Sequence, residues 1–446
     1  MEIEKYINSK QRSEILTLLR SYADNQRKGI SQCENLCPKE YHCRKNVLLE
    51  QIVGYWRIIL EDEPSQIWVY YLDLSEHFFG DTPLEKITSF FKGGFEIRAK
   101  KLGLDEYPSH FQKVFSHIYT LDISNNQIVE LDTKQYGVYK IYANDNRITN
   151  LNASEINSSL THLSLRNNQL QSISSDFWKN VQKIKHLDIA GNQLETLSLV
   201  LNWIDSPWRY TGRKEASLVG IDASHNQIAY LEISHQQIHD NYYSKKQNIP
   251  VFYNFKRLIL HHNSLNTLPH ELFSNKSNQN LQILDLSHNQ FVTLPEKFST
   301  LPKLKWFSIS HNQLKNLILP IQAPLKTLLA TNNFLENLPE NIGSMITLEK
   351  IHLQNNQISN LPESIGNIKA LRELRLYNNR LEYLPDSFQN LQNLQYLSLS
   401  KNNFKEMPHV LFKLKSLKTL DMSENPLSKT EIEKIKKYLP NTKITI

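Results

Sequence analysis

The apolar positions of the chain follow a spacing that is neither helical nor simply alternating. Residues 371–385 read LRELRLYNNRLEYLP, with leucines at positions 371, 374, 376, 381 and 384. A helix repeats near 3.6 residues and a strand repeats at 2, so neither period fits the whole series. A short strand explains the L-x-L core, with Leu374 and Leu376 pointing inward and Arg375 pointing outward. The pattern therefore predicts a brief strand followed by a sharp turn.

This pattern recurs with a period of 23 residues in blocks that start at positions 348, 371 and 394. Each block begins L-x-x-L-x-L-x-x-N-x-L, with Ile or Phe in place of some leucines. One short strand cannot bury its own apolar face, so each coil must stack on the next, with the strands in parallel. The turn leaves backbone polar groups inside the stack. An inward amide such as Asn379 can both donate and accept hydrogen bonds there.

The ninth-position asparagine recurs along most of the chain. It stands at Asn126, Asn146, Asn168, Asn192, Asn226, Asn263, Asn289, Asn312, Asn333, Asn356, Asn379, Asn402 and Asn425. Together with LPENIG and LPESIG in the C-terminal half, this series resembles the leucine-rich repeat family. It is most similar to the intracellular LP-x-x-I-G type of bacterial and plant Ras-group proteins. The resemblance implies an α/β solenoid, a horseshoe of about 13 coils with a parallel β-sheet on its concave face.

The extent of the repeat predicts three regions. Residues 94–427 form the solenoid, and residues 97–108 read as a degenerate opening coil with Leu102 in the asparagine slot. Residues 1–93 form a small, mainly helical N-terminal cap, in which the segment VYYLDLSEHFF at 69–79 matches the repeat pattern only weakly. Residues 428–446 form a C-terminal cap that begins with a short helix after Ser428, because an exposed solenoid end needs a polar-faced element.

Two consecutive coils are longer than the others. The asparagine intervals from 192 to 226 and from 226 to 263 are 34 and 37 residues, and the additions lie at 198–217 and 232–255. Both mix aromatic and basic side chains, and insertions of this kind often lie on a binding face. We predict surface roles for Arg209, Tyr210, Tyr242 and Lys245 in partner binding. The alternative is that the aromatic residues pack these insertions onto the body of the solenoid.

The outward strand positions give a second candidate surface. Consecutive coils present an apolar group, with Trp306 at its centre, that the register predicts to lie together on the concave face. The predicted binding residues there are Ile259, Ile283, Trp306, Leu329, His352, Arg375, Tyr377 and Tyr396. A contiguous apolar patch with a central Trp favours a partner site. The alternative is that outward β-branched and aromatic residues serve only the stability of the sheet.

Metal and cofactor chemistry receives little support from the sequence. The recurring SHN and HHN triplets predict solvent-facing turn histidines, because neighbouring carboxylates that would orient metal ligands are not evident. Cys33, Cys37 and Cys43 are the residue types that bind zinc. Their C-x3-C and C-x5-C spacing differs from paired C-x2-C motifs, so reduced, partly buried cysteines are the favoured interpretation. No cofactor is predicted.

Composition bounds the function. The net charge is +6 and no run of five or six basic residues occurs, which argues against nucleic-acid binding. The longest apolar runs are too short to span a bilayer. The charged N-terminal residues lack the features of a secretory signal, and three clustered cysteines make no extracellular disulfide framework. We predict a monomeric cytoplasmic protein.

The function that these observations favour is a protein-interaction scaffold. No nucleophile elbow, phosphate loop, H-E-x-x-H or kinase motif occurs, so we predict that the chain is not an enzyme. Some bacterial members of the family carry a C-terminal ubiquitin ligase with a catalytic cysteine, and here no cysteine follows Cys43. Two alternatives remain open. One is an exported bacterial effector that binds a host protein, and the other is a metal-dependent activity in the N-terminal region.

Overall fold

The computed structural model describes residues 67–73, 91–108, 118–131, 138–151, 159–174, 177–178, 183–204, 214–216, 218–238, 251–253, 255–273 and 280–446. The chain divides into two compact units, Met1–Asn192 and Gln193–Ile446. Among the described residues, no helix has both the length and the apolar character that a membrane crossing requires.

The first unit is built on a parallel sheet whose strands follow the chain order. The strands are β1 (Ile67–Asp73), β2 (Phe91–Arg98), β3 (Thr120–Asp122), β4 (Lys140–Tyr142), β5 (His162–Ser164) and β6 (His186–Asp188). Each strand pairs in parallel with the next, and the central residue of each three-residue strand is buried. The strands are short because only the L-x-L core of each coil is extended before the chain turns.

The second unit contains two sheets. Its strands are β7 (Thr196–Ile204), β8 (Lys214–Ala216), β9 (Gly220–Asp222), β10 (Tyr230–Ile238), β11 (Val251–Tyr253), β12 (Arg257–Ile259), β13 (Ile283–Asp285), β14 (Trp306–Ser308), β15 (Thr327–Leu329), β16 (Lys350–His352), β17 (Glu373–Arg375), β18 (Tyr396–Ser398), β19 (Thr419–Asp421) and β20 (Lys443–Thr445). The repeat sheet consists of β9 and then β12 to β20, each paired in parallel with its neighbour.

Short 3-10 turns return the chain on the side of the coils away from the strands. They are His270–Phe273, Glu296–Thr300, Glu340–Ser344, Glu363–Asn367, Asp386–Asn390 and His409–Lys413. The last five each follow a proline with extended backbone, a residue whose fixed φ suits the entry to a tight turn. Each of these five turns buries one large apolar residue, such as Ile365 or Phe388, and the first turn buries both Leu272 and Phe273. Apolar side chains therefore fill the coil from both sides.

The recurring asparagine holds successive coils together. Asn379 donates from Nδ2 to the carbonyl oxygen of Leu376 in its own coil at 2.9 Å and to that of Leu353 in the preceding coil at 3.0 Å. Its Oδ1 accepts the backbone N–H of Ile358 at 3.0 Å. Backbone groups that the turn would leave buried without partners are thereby satisfied. The inward amide proposed from the sequence is confirmed at this position.

The same arrangement extends through both units. Each of the thirteen asparagines accepts a backbone N–H from the coil before it. Ten are buried, and Asn226, Asn263 and Asn425 are half-buried. The degenerate opening coil shares this turn, since Leu102 donates its N–H to Asn126 at 2.9 Å. Local hydrogen bonding therefore repeats more faithfully than the leucines do.

A left-handed residue precedes every one of these asparagines. The backbone φ at this position lies between 53° and 67°, from Asn125 in the first unit to Glu424 in the second. Positive φ is unfavourable for most residues, and Asn, Asp, His and Gly adopt it most readily. Eleven of the thirteen positions carry one of these four residue types, and Lys401 and Glu424 are the exceptions. We call these thirteen residues, which share one backbone conformation, the left-handed column. The histidines of the SHN triplets belong to this column because their backbone has a positive φ.

The structure extends the sequence-based description at both ends. Strand β1 pairs with β2 inside the segment predicted as a helical cap, so the parallel sheet begins ahead of residue 94. Most of the predicted helical cap, residues 1–66 and 74–90, lies outside the described residues. At the C-terminus, the helix predicted after Ser428 is α1 (Lys429–Tyr438), and β20 adds one more strand after it.

The two long insertions contribute a second sheet. Strand β7 pairs with β10 in parallel over nine residues, from Thr196 with Tyr230 to Ile204 with Ile238. Strand β8 pairs with β7 in antiparallel fashion and with β11 in parallel. The insertions thus extend neighbouring coils side by side. The four predicted binding residues Arg209, Tyr210, Tyr242 and Lys245 lie outside the described residues, as do Cys33, Cys37 and Cys43.

Candidate protein-binding site

The outward side chains of the second unit form two rows across the strands. One row, the Trp306 row, runs through Ile283, Trp306, Thr327, Lys350, Glu373 and Tyr396. The other, the Arg375 row, runs through Ile259, Asp285, Ser308, Leu329, His352 and Arg375. Neighbouring strands lie about 4.8 Å apart, so adjacent members of a row can touch. The strand register alone fixes this surface.

The apolar residues predicted to cluster are divided between these rows. Ile283 and Trp306 are direct register partners and both are half-buried. Leu329 stands one strand beyond Trp306 in the other row, at a diagonal distance that a Trp side chain can bridge. Ile283, Trp306 and Leu329 form what we call the apolar patch.

Ile259 does not belong to this patch. It lies in the Arg375 row, diagonal to Ile283 on the neighbouring strand, as Leu329 is to Trp306. Its side chain is only 6% exposed, so it offers little surface to a partner. The prediction that four apolar residues form one contiguous exposed patch is corrected to three, because the Ile259 side chain is buried.

A charged and aromatic cluster borders the apolar patch. Glu373 accepts hydrogen bonds from His352 Nε2 at 3.0 Å and from Arg375 Nε at 2.7 Å. The Arg375 guanidinium lies over the Tyr396 ring, 5.1 Å from its centroid, and Lys350 Nζ is 3.6 Å from the other Glu373 oxygen. His352, Arg375 and Tyr396 were predicted from the sequence, whereas Lys350 and Glu373, which connects the cluster, were not. The position of Glu373 between Arg372 and Arg375 gave no separate signal.

The protonation states in this cluster follow from its contacts. Partial burial lowers the pKa of His352 by more than its hydrogen bond to Glu373 raises it. A neutral His352 ring therefore donates through Nε2–H. Partial burial raises the pKa of the Glu373 carboxyl, but the hydrogen bond from His352 and the charge of Arg375 outweigh it, so the pKa is lowered. The cluster thus presents a fixed carboxylate with its donors already oriented.

The remaining predicted residue of this face, Tyr377, is half-buried and directly precedes the left-handed Asn378. It stands one step beyond Arg375 along the same coil, at the edge of the strand. The structure therefore brings seven of the eight predicted strand-face residues onto an accessible surface. Ile259 is the exception, because its side chain is buried.

The left-handed column lies beside this surface and brings histidines of successive coils into contact. The rings of His225, His262, His288 and His311 stack at centroid distances of 4.2, 3.9 and 3.9 Å. We call these four residues the histidine stack. An amide ladder continues it, since His311 Nε2 contacts Asn332 Nδ2 at 3.1 Å and Asn355 Nδ2 donates to Asn332 at 2.9 Å. The recurrence of SHN at one coil position was the sequence signal for it.

Partial burial and neighbouring histidines make positive charge unfavourable at His262 and His288. Partial burial, and then the charges that His311 and His262 would carry, lower the pKa of His288 to about 4. Partial desolvation and the neighbouring His225 and His261 also lower the pKa of His262. His262 and His288 are therefore neutral near pH 7.

We expect the free energy of unfolding to fall as pH drops from about 6.5 to about 4. An unfolded His288 takes up a proton near its ordinary pKa, whereas the folded residue stays neutral until about 4, so the unfolded state binds more protons in this window. Because His288 is half-exposed, solvent screening reduces its contribution to about 1 kcal/mol. Denaturant unfolding at several pH values, with a chelator present, measures the slope.

The matched variants for this prediction are His288→Asn and His270→Asn. Asparagine already occupies the equivalent left-handed position in the coils of Asn332, Asn355 and Asn378, so His288→Asn preserves the backbone. It should flatten the slope, while replacing the exposed His270 outside the stack should leave the slope unchanged. Equal slopes for wild type and His288→Asn would contradict the role assigned to the stack.

Comparisons with known proteins agree with this architecture. The family described as "Leucine-rich repeat region" matches residues 313–440, and that described as "Leucine rich repeat" matches residues 158–201 and 254–314. The chain belongs to the leucine-rich repeat family. A leucine-rich repeat protein of Leptospira interrogans has the same fold at a TM-score of 0.60 and 22% identity, covering 89% of this chain and 98% of that one.

Other similar proteins share the fold over smaller parts of their length. A chain of the Drosophila Toll–Spatzle complex matches with a TM-score of 0.56 and 16% identity over 84% of this chain and 54% of that one. Leucine-rich repeat serine/threonine-protein kinase 1 of Mus musculus is 29% identical over 45% of this chain and 9% of its own. Adenylate cyclase of Schizosaccharomyces pombe is 33% identical over 44% of this chain and 10% of its own. The chain therefore spans about a tenth of these two relatives.

Proposed function

We propose that this chain is a protein-interaction module that binds a partner protein on the strand face of its second unit. The observation that carries the proposal is the apolar patch of Ile283, Trp306 and Leu329 beside the charged cluster around Glu373. Trp, Tyr and Arg are the residues that most often anchor protein interfaces. Here all three types occur within a few strands of one rigid sheet.

The geometry suits recognition with little ordering cost. Trp306 is half-buried and stands on β14, with a paired strand on each side. Arg375 is fixed by its hydrogen bond to Glu373 and by the Tyr396 ring. Side chains that are already held lose less conformational entropy when a partner docks. The apolar patch would supply binding energy, and the charged cluster would supply a polar rim with defined donors and acceptors.

A binding role rather than catalysis is also the proposal for the chain as a whole. The names of the mouse and fission yeast relatives describe enzymes, but the similarity covers only about a tenth of each of them. Proteins that share a fold can have unrelated functions, because the function depends on the site that each protein carries. What supports the proposal here is the composition of one surface, and the partner is a protein with an apolar side chain that can cover Trp306.

Replacing Trp306 by alanine is expected to raise the dissociation constant for the partner by roughly 30-fold, equivalent to about 2 kcal/mol. The partner would first be isolated by affinity capture with the full chain and then titrated against each variant. Ile346→Ala is the matched control, because Ile346 is 64% exposed and follows the turn Glu340–Ser344 rather than standing on the strand face. Unchanged affinity for a folded Trp306→Ala protein would refute the proposal.

A further inference from the structure

We propose that His225, His261 and His262 form a binding site for a late first-row divalent metal ion, of the class of Zn²⁺, Cu²⁺ and Ni²⁺. One ring nitrogen from each of the three residues can be chosen so that all three atoms lie within 4.8 Å of one another. No carboxylate belongs to this group. The proposal goes beyond partner binding and beyond the expectation from the sequence that these histidines are only turn residues.

The backbone explains how three histidines converge. Side chains of consecutive residues in a strand point to opposite faces, so His261 and His262 would diverge if the strand continued. His262 instead has a φ of 54°, and this left-handed turn brings its ring back toward His261. The two Nδ1 atoms are 2.8 Å apart.

The third histidine comes from the preceding coil. His225 occupies the left-handed position there, with a φ of 53°, and its ring stacks on that of His262 at 4.2 Å. The His225 ring also meets His261 edge to face, at a centroid distance of 4.9 Å. A stack of two coils therefore supplies a ligand set that neither coil holds alone, which is why sequence spacing did not reveal it.

The donor set selects the class of ion. Neutral imidazole suits Zn²⁺, Cu²⁺ and Ni²⁺, whereas Mg²⁺ and Ca²⁺ prefer oxygen ligands. With metal–nitrogen bonds of about 2.0–2.1 Å in a tetrahedral site, ligand nitrogens stand roughly 3.3 Å apart. The His261–His262 pair is already inside that distance. Small side-chain rotations would bring the His225 nitrogen to the same distance from the other two. The side chains of His225 and His262 are both exposed, so they have room to rotate.

Metal binding would replace the hydrogen bond between His261 and His262 by two metal–nitrogen bonds, and neither ring would gain or lose a proton. At 2.8 Å, one of the two Nδ1 atoms of His261 and His262 donates its proton to the other. On coordination through both Nδ1 atoms, that proton moves to Nε2 of the same ring, so each ring stays neutral. Three histidines leave a fourth tetrahedral position for water.

The test is a titration of Zn²⁺ into the full chain, purified without a polyhistidine tag, by isothermal calorimetry. A second protein carries Cys33→Ser, Cys37→Ser and Cys43→Ser, so that thiolates do not compete. We expect one ion per chain in both proteins. His262→Asn, which suits the left-handed backbone, and His225→Gln should each weaken binding at least about tenfold, because even outer-shell changes around metals typically cost about 10–100-fold.

The control is His311→Asn, which replaces a member of the histidine stack at the same left-handed position two coils further on. It should leave the affinity unchanged. Co²⁺ absorption of the cysteine-free protein should show d–d bands without thiolate charge transfer. The proposal is overturned by binding that does not saturate at one ion, by full affinity in His262→Asn and His225→Gln, or by an equal loss in His311→Asn. None of these readouts depends on partner binding.

Discussion

Asn379→Ala is expected to lower the free energy of unfolding of the second unit by about 3–5 kcal/mol. The substitution removes the donors to Leu353 and Leu376 and the acceptor for the Ile358 N–H. Each buried backbone group left without a partner costs about 1–3 kcal/mol. Because one amide serves two adjacent coils, its loss weakens their interface as well as the turn. Denaturant unfolding followed by circular dichroism measures the change.

The matched control is Asn378→Gly, one residue earlier. Asn378 has a φ of 55° and an exposed side chain, and glycine retains that backbone conformation at little cost. We expect a change below about 1 kcal/mol, because the amide lost there bonds only to the Asn355 side chain at the surface. Amide hydrogen exchange should show the loss in Asn379→Ala centred on residues 353–402. Similar destabilisation by both variants would mean that the inward amide has no special role.

The amides and the strands could be predicted because each is a local requirement. A three-residue strand must be followed by a turn, the turn leaves backbone groups inside, and an asparagine at a fixed offset is the residue that satisfies them. This reasoning needs only one coil. It holds even where the second strand leucine is replaced, as at Ala143, Ala223 and Ala330, whose carbonyl oxygens still accept from the next asparagine.

The contacts within the left-handed column could not be predicted from a single coil. The residue types of this column were visible in the sequence, because His, Asn or Asp precedes most of the thirteen inward asparagines. What the sequence did not show is that positive φ turns those side chains toward one another in successive coils. The histidine stack and the convergence of His261 with His262 result from backbone geometry and coil stacking together. A solvent-facing turn residue and a member of a cluster look the same in one coil.

The surface rows and the second sheet depend on pairing between distant residues. The exposure of an outward side chain depends on its neighbours in other parts of the chain, so the sequence did not reveal that Ile259 is buried. The pairing of β7 with β10 joins segments 34 residues apart. Both insertions were recognised from their length, but no local feature specifies which strands of different insertions will pair.

Gly366→Ala is expected to cost the second unit about 2–3 kcal/mol of stability. Gly366 lies in the turn Glu363–Asn367, which packs on the next turn, Asp386–Asn390. A methyl group at Gly366 would lie 2.7 Å from the backbone carbonyl carbon of Ser387 and closer still to its oxygen. Because the obstacle is backbone, no side-chain rotation relieves it, and the two turns must separate. Gly343 stands in the same relation to Ser364 one coil earlier, so Gly343→Ala should behave alike.

This explains the glycine of the LP-x-x-I-G pattern as a packing requirement between coils. Gln389 holds the equivalent position in the next coil and is exposed, so Gln389→Ala is the matched control, with an expected change within about 0.5 kcal/mol. Ser387→Gly combined with Gly366→Ala should recover little, because the serine backbone remains. Thermal or denaturant unfolding distinguishes these cases. If Gly366→Ala were as stable as the wild type, the turns would have to slide apart freely, and close backbone packing would not limit this face.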